Sequence, residues 1–277
     1  MASHVERPEL REGVSLVTAP RFRPSRSWAD RLCVNGGIER EGTRLHPRPD
    51  WRSPTATELT LLVRQDPGHE EICLKASEAG LIAIPTRLRE AWWGSARWGA
   101  VPTGDEDYRR FVAAVLEFLR FKRLPLPARC DVDVLATRPD LKGIRLDPTT
   151  RELSGLGFSA SESRRMVGMV NLGDEATHLV LLNLAAHGMR ARLARDAEPD
   201  LWSLAPSHLT SRFFEAYPHY PLTRVRLDPG EGVWFPQDDL VHDGWPGAKQ
   251  DADVVLTIRG EVEESMLESR SETTTLA

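Results

Sequence analysis

The residues best suited to chemistry lie between Arg224 and Gly260, in the stretch RVRLDPGEGVWFPQDDLVHDGWPGAKQDADVVLTIRG. Arg224–Leu227 reads as a strand, Asp228-Pro229-Gly230-Glu231-Gly232 as a tight turn, and Val233-Trp234-Phe235 as the returning strand. Pro236 to Leu240 reads as a second turn leading into Val241-His242, and Asp253–Gly260 as a last strand. His242 thus opens a strand beside two tight turns. An imidazole at the mouth of a β structure is a candidate metal ligand, because histidine is the commonest such ligand. The plainer reading is a core or rim histidine held by hydrogen bonds. Trp234 and Trp245 bracket His242 and could wall a site, although alternation also allows Trp234 to face the core.

Other elements must position that histidine. The clearest helix runs from about Gly104 to Lys122. Thr103 or Asp105 can cap it, and Phe111, Val112, Val115, Leu116 and Leu119 recur at helical spacing. Short apolar runs bounded by Gly, Pro or Asp then follow: Asp131–Ala136, Met166–Leu172, Thr177–Leu184, Leu222–Leu227, Gly232–Phe235 and Asp253–Gly260. A shorter helix is expected around Ser207–Tyr217. Upstream, Glu58 to Arg64 (ELTLLVR) reads as a first strand, with a turn at Asp66-Pro67-Gly68. Many short strands and few helices predict a barrel or sandwich, not a βαβ fold.

Composition narrows the function classes. The chain has 277 residues, 40% of them hydrophobic and 28% charged, with a formal net charge of -5. That is enough chain to bury a large core without disulfide staples. The acidic balance argues against a nucleic-acid binder, and there is no apolar run long enough to span a membrane. Cys33, Cys73 and Cys130 are odd in number and in no metal-ligand spacing, so they read as reduced thiols in a cytoplasmic protein. Nucleophile elbows, phosphate-cradling loops and dinucleotide fingerprints are missing. Trp92, Trp93 and Trp98 (AWWGSARW) read as a packed corner more simply than as a ligand pocket.

The run PGEGVWFPQDDLVHDG followed by DVVLTIRG resembles the C-terminal part of double-stranded β-helix proteins, the cupins and the iron(II)/2-oxoglutarate oxygenases. The resemblance is close over about forty residues. It implies a mainly β (α+β) fold with a double-stranded β-helix, or jelly-roll, core and flanking helices. It also implies that His242 is the distal iron ligand and that Arg259 pairs with the far carboxylate of 2-oxoglutarate. A guanidinium fork suits that task, since it can grip a carboxylate through two charge-assisted hydrogen bonds. The competing reading for Arg259 is an ordinary ion pair with Asp251, Asp253 or the acidic tail.

The chain departs from the family where a His-x-Asp or His-x-Glu should complete a two-histidine, one-carboxylate set. Residues two beyond His178, His187, His208 and His219 are Val180, Met189, Thr210 and Pro221, none of them acidic. Three alternatives stay open. Asp174 and His178, in NLGDEATH, could complete the metal site if their turn folds back, although Gly173-Asp174-Glu175 also reads as plain turn chemistry. His69-Glu70-Glu71 matches the motif literally but comes early, and His4-Val5-Glu6 matches in the N-terminal arm. Or Asn171 and Gly173 stand where histidine and carboxylate usually do, and the barrel has lost its iron.

The expected organisation is an irregular N-terminal arm over residues 1–57, one double-stranded β-helix domain over 58–265, and an acidic tail over 266–277. The expected function is an oxygenase-like enzyme acting on a small polar metabolite with Fe(II) and 2-oxoglutarate. The alternatives are a metal-free barrel that binds a small molecule or partner, or a cupin-type isomerase or cyclase. The expected partner is a small-molecule substrate, with no nucleic acid and no membrane, and a homodimer is compatible with this reading.

Overall fold

The computed structural model describes residues 21–22, 30–41, 44–63, 78–95, 106–121, 126, 130–137, 163–194, 206–236, 240–245 and 253–263. Twelve strands form among them: β1 (Arg21–Phe22), β2 (Leu32–Val34), β3 (Ile38–Glu41), β4 (Arg44–Pro47), β5 (Glu78–Ala83), β6 (Asp131–Thr137), β7 (Ser163–Asn171), β8 (Thr177–Ala185), β9 (Thr223–Leu227), β10 (Glu231–Pro236), β11 (Leu240–Trp245) and β12 (Asp253–Glu263). The helices are α1 (Ala56–Leu62), α2 (Thr86–Ser95), α3 (Glu106–Phe121), α4 (Ala186–Ala194) and α5 (Pro206–Ala216). The protein is mainly β. A six-stranded sheet has the order β1-β5-β10-β7-β12-β6, and a four-stranded sheet the order β11-β8-β9-β2. All pairings in both sheets are antiparallel except β1 with β5.

Three apolar cores fix how these elements stack. One lies between the sheets, where Val167, Val233 and Phe235 of the six-stranded sheet meet Leu179, Leu181, Val225 and Leu227 of the four-stranded one. A second covers the outer face of the six-stranded sheet: Trp92, Tyr108, Phe111, Val115 and Leu119 from α2 and α3 pack on Met166, Val170, Trp234, Leu256 and Ile258. The third covers the outer face of the four-stranded sheet, where Met189, Leu193, Leu209, Phe213 and Phe214 from α4 and α5 pack on Val180, Leu182, Leu184 and Val241. Each large apolar side chain buried this way contributes about 1.5–3 kcal/mol. The result is four layers, helix–sheet–sheet–helix, so β7, β8, β10 and β12 are buried on both faces.

The helix expected from Gly104 to Lys122 forms as α3, and the strands expected after Cys130 form within a few residues of their expected bounds. Two expectations need correction. Glu58–Arg64 is not a strand, because α1 occupies most of it. Thr55 accepts a hydrogen bond from the Glu58 amide and the Glu58 carboxylate accepts one from the Thr55 amide, a capping box that starts a helix there. Nor does residue 57 mark a boundary, since β2 pairs with β9 in the four-stranded sheet. Asn35 pins this segment: its amide donates to the Gly37 and Arg48 carbonyls and its oxygen accepts from the Leu222 amide. The turn expected at Asp66-Pro67-Gly68 and the tail over 266–277 lie outside the described residues.

Glycine is required at several places, Gly230 and Gly168 among them. Gly230, in the β9–β10 turn, has φ 83°, which a side chain disfavours. Gly168 of β7 sits directly opposite Trp234, and a Cβ there would lie 2.5 Å from the indole Cε3. The ring lies over the glycine because no side chain competes for that space. Gly168→Ala should therefore destabilise the fold by about 1–3 kcal/mol. Urea unfolding of the variant beside wild type measures this.

Arg52 and Glu58 tie α1 to the sandwich, since the Arg52 backbone bridges to Val34 and its guanidinium holds Glu58 through two hydrogen bonds of 2.7 and 2.6 Å. The Arg52 hydrogen bond, helped by the Thr55 amide and hydroxyl, lowers the Glu58 pKa from 4.5 to about 2. Because the folded-state pKa is depressed, this stabilisation is complete above about pH 4.5 and disappears as the pH falls toward 2. Solvent screening limits it to about 1 kcal/mol. Wild type should exceed Glu58→Gln in unfolding free energy at neutral pH, and the gap should close between pH 4.5 and 2.

Candidate functional site

Strand alternation decides which side chains enter the space between the sheets. Val241 packs outward against the α4–α5 layer, so His242, its neighbour on β11, points inward. The imidazole is 8% exposed and meets the Phe235 ring edge-to-face at 4.8 Å. Phe235 belongs to the inter-sheet core. In the six-stranded sheet, Phe235 lies directly opposite Val167, Val167 opposite Arg259, and Arg259 opposite Asp131. Residues directly opposite share a face, so Arg259 also faces inward, two strands from Phe235 or about 10 Å. The structure thus puts His242 and Arg259 on inner faces at the same end of the sandwich.

Arg259 already has a protein neighbour. Its Nη1 is 3.5 Å from the Asp133 carboxylate, with the two side chains 35% and 60% exposed. This is not one of the expected partners. Asp253 is buried at the opposite end, where it accepts a 2.9 Å hydrogen bond from Thr177, and Asp251 lies outside the described residues. The β6 sequence Asp131-Val132-Asp133-Val134 turns both valines to the helix layer and both aspartates to the inner face. That D-V-D-V alternation was the sequence signal for these acids. Burial pushes the thiol pKa of Cys130, just before β6, upward against the opposing pull of Arg120, which disfavours the thiolate.

The remaining expected ligands are placed elsewhere. His178 sits on β8 between Thr177 and Leu179, and Leu179 points into the inter-sheet core. His178 therefore points outward, on the opposite face of the four-stranded sheet from His242. There its ring lies 5.4 Å from Trp245, which stacks on Trp51 at 5.8 Å. The Arg224 guanidinium lies 4.6 Å from both indoles, a cation–π contact that fixes Trp245 on the outer face. Asp174 is 60% exposed and forms a 2.8 Å ion pair with Arg89 of α2. Neither His178 nor Asp174 can share an ion with His242. The two tryptophans that bracket His242 in sequence also miss the inner face: Trp234 belongs to the helix-side core and Trp245 to the opposite surface. Trp92 is core, packed on Tyr108 and Phe111, while Trp98 lies outside the described residues.

Asn171, one of the positions considered for the absent histidine, is fully buried and already engaged. Its amide donates to the Glu175 and Leu227 carbonyls at 2.8 and 2.9 Å, and its oxygen accepts from the Gly173 amide at 2.8 Å. It closes the β7–β8 turn. Asn171→Ala strands two buried carbonyls and an amide, so it should cost about 2 kcal/mol and speed hydrogen exchange at the Gly173 amide. Both changes are measurable on the purified chain.

An iron centre of the implied kind needs three protein donors that converge. Among the described residues, no group of three or more His, Cys, Asp or Glu is arranged to hold a metal ion. His242 is the inward imidazole at this end, Asp174 and His178 are turned away, and the donors of Asn171 are engaged. His69, Glu71, His4 and Glu6 lie outside the described residues. The described residues do not fit the iron site. Arg259, by contrast, fits a carboxylate partner, because it is partly exposed and its one ion pair is long.

No family model matches the sequence, and a search of curated proteins finds no match. Among solved structures, the chain is similar to the non-heme alpha ketoglutarate dependent epimerase SnoN from nogalamycin biosynthesis. The two share 14% identity at a TM-score of 0.39, over 67% of this chain and 78% of that one. That similarity is too distant to transfer a site residue. No helix among the described residues is long and apolar enough to cross a membrane.

Proposed function

We propose that this chain is an oxygenase-like double-stranded β-helix protein that binds a small polar metabolite between its sheets without an iron centre of its own. The order of strands supports the architecture. From β7 onward the chain passes to the other sheet for β8 and β9, returns for β10, crosses for β11 and returns for β12. Winding antiparallel strands back and forth in this way builds two facing sheets with a cavity mouth at one end. The inner-face placement of His242 and Arg259 at one end carries the functional reading.

In this reading Arg259 grips a ligand carboxylate, with Asp133 holding the guanidinium in place through its weak pair. Val167 and Phe235 close the core behind the guanidinium, and His242 is the polar group on the facing sheet that a ligand would meet next. Phe235 packs the edge of the imidazole and limits its rotation. The metal-free reading is favoured over the iron enzyme for a specific reason: among the described residues, the side chains considered for completing the donor set are committed to the outer face and to the β7–β8 turn.

Anaerobic titration of the purified full chain with Fe(II), with and without 2-oxoglutarate, tests the reading. No cofactor-dependent visible charge-transfer band should appear, and calorimetry should detect binding of 2-oxoglutarate or a related small carboxylate. Arg259→Ala should weaken that binding at least tenfold, about 1.4 kcal/mol or more for loss of a charge-assisted pair. His178→Ala, on the opposite face, should leave it unchanged. A band that requires both Fe(II) and 2-oxoglutarate and is lost in His242→Ala would overturn the metal-free reading. Carboxylate binding unchanged in Arg259→Ala would overturn the site.

A further inference from the structure

The outer face of the four-stranded sheet changes character along its length. Under α4 and α5 it is apolar, with Val180, Leu182, Leu184 and Val241 in the core. Toward the β7–β8 turn it becomes aromatic and basic. His178 lies directly opposite Trp245 on β11 and Arg226 on β9, so these three form one row across the sheet. Arg224 stands in the next row, opposite Val180, and Trp51 folds over it from the segment after β4. Trp51, Trp245, His178 and Arg224 are half-buried, and Arg226 is exposed.

Arg224 is the unusual member of this group. Its Cζ lies 4.6 Å from the ring centroid of Trp51 and 4.6 Å from that of Trp245. The two indoles are 5.8 Å apart and inclined by 27°, so they form a wedge that holds the guanidinium. Nearby arginines each hold a carboxylate: Arg31 takes Glu231, Arg52 takes Glu58 and Arg226 takes Asp228. Arg224 has no such partner among the described residues, and its nitrogens are not buried, so its N–H edge faces water. Stacking on aromatic rings leaves that edge free while it fixes the plane and the rotamer. The freedom an arginine ordinarily loses on gripping an anion is already lost here. Arg226, two residues along on the same face, adds a second guanidinium about 7 Å away. These groups concentrate positive charge on a chain whose formal net charge is -5.

We propose that the Arg224 clamp is a binding site for the phosphate group of a small molecule, separate from the inter-sheet site and independent of it. The open edge of Arg224 takes two phosphate oxygens through parallel charge-assisted hydrogen bonds. Arg226 faces the same group and favours a dianion with three acceptor oxygens over a singly charged carboxylate. The half-buried indoles of Trp51 and Trp245 flank the phosphate and offer apolar surface to whatever carries it.

The test is titration calorimetry of the purified full chain with phenyl phosphate, inorganic phosphate and benzoate. Phenyl phosphate should bind at least tenfold more tightly than benzoate. A several-fold gain over inorganic phosphate assigns the site to an ester, and equal binding of the two assigns it to the free ion. Arg224→Lys keeps the charge but lacks the planar fork, and it should weaken phenyl phosphate binding at least tenfold. Arg224→Ala should abolish binding, Trp51→Leu should weaken it several-fold by releasing the clamp, and Arg259→Ala should leave it unchanged. Thermal melts check that each variant remains folded. Absence of phosphate binding, or equal affinity in wild type, Arg224→Lys and Arg224→Ala, would overturn the site. Loss of phosphate binding in Arg259→Ala but not in Arg224→Ala would also overturn it, by moving the anion to the inter-sheet end. Equal binding of phenyl phosphate and benzoate would overturn the choice of phosphate.

Discussion

Strands β7, β8, β10 and β12 are buried on both faces, and that constraint fixes the rest. On β8, Leu179 and Leu181 enter the inter-sheet core while Val180, Leu182 and Leu184 enter the core under α4 and α5. A slip of one residue in register would exchange the two sets completely. Register is held by features that do not tolerate such a slip. The Trp234 ring lies over Gly168, the Asn171 amide closes the β7–β8 turn onto Leu227, and Asn35 ties the N-terminal segment to Leu222. These contacts fix which side of a sheet each chemically useful side chain occupies.

Apolar packing and exposed charge are separated along the length of the sandwich. The middle and one end are apolar or hydrogen-bonded, with Thr177 and Asp253 joining the two sheets there. The other end holds Arg259, Asp131 and Asp133 at the β6 margin, where they keep much of their hydration. A partly exposed ion pair such as Arg259–Asp133 contributes about 0–1 kcal/mol. The fold therefore depends little on it, and in the proposed reading the guanidinium would exchange Asp133 for a ligand carboxylate at small cost. His242 differs, since it is almost fully covered and packed on Phe235, and it supplies a fixed polar point inside an apolar wall.

Much of this was legible in the sequence, and the failures have a common cause. Helix α3 shows because its apolar residues recur at helical spacing on one side only. The strands after Cys130 show because each is short, branched and bounded by turn residues. His242 and Arg259 follow from those strands. The face of His178 does not, because a strand apolar at Leu179, Val180, Leu181 and Leu182 carries no alternation from which to read direction. The same ambiguity hid the orientation of Trp234. In ELTLLVR the β-branched and apolar texture suggests a strand, yet the Thr55–Glu58 capping box, one residue upstream of the helix, decides for α1. The inward pair Asp131 and Asp133 was legible, but it gains meaning only once β12 is known to pair with β6 and to set Arg259 beside them.

The β7–β8 turn shows why the described residues do not complete the metal site that the C-terminal sequence suggests. A metal centre on an inner face needs donors from adjacent strands that point the same way at the same end. Asn171 lies on the inner face but at the turn end of β7, four residues along from Val167, which shares its row with Arg259. Its three hydrogen bonds hold the turn closed, and Asp174 beyond it is drawn outward to Arg89. Replacing Asn171 by histidine would therefore open the turn without bringing the new ring to His242. Donor chemistry at this turn and closure of the turn make competing demands on the same few residues, and the hydrogen bonds around Asn171 show that closure prevails.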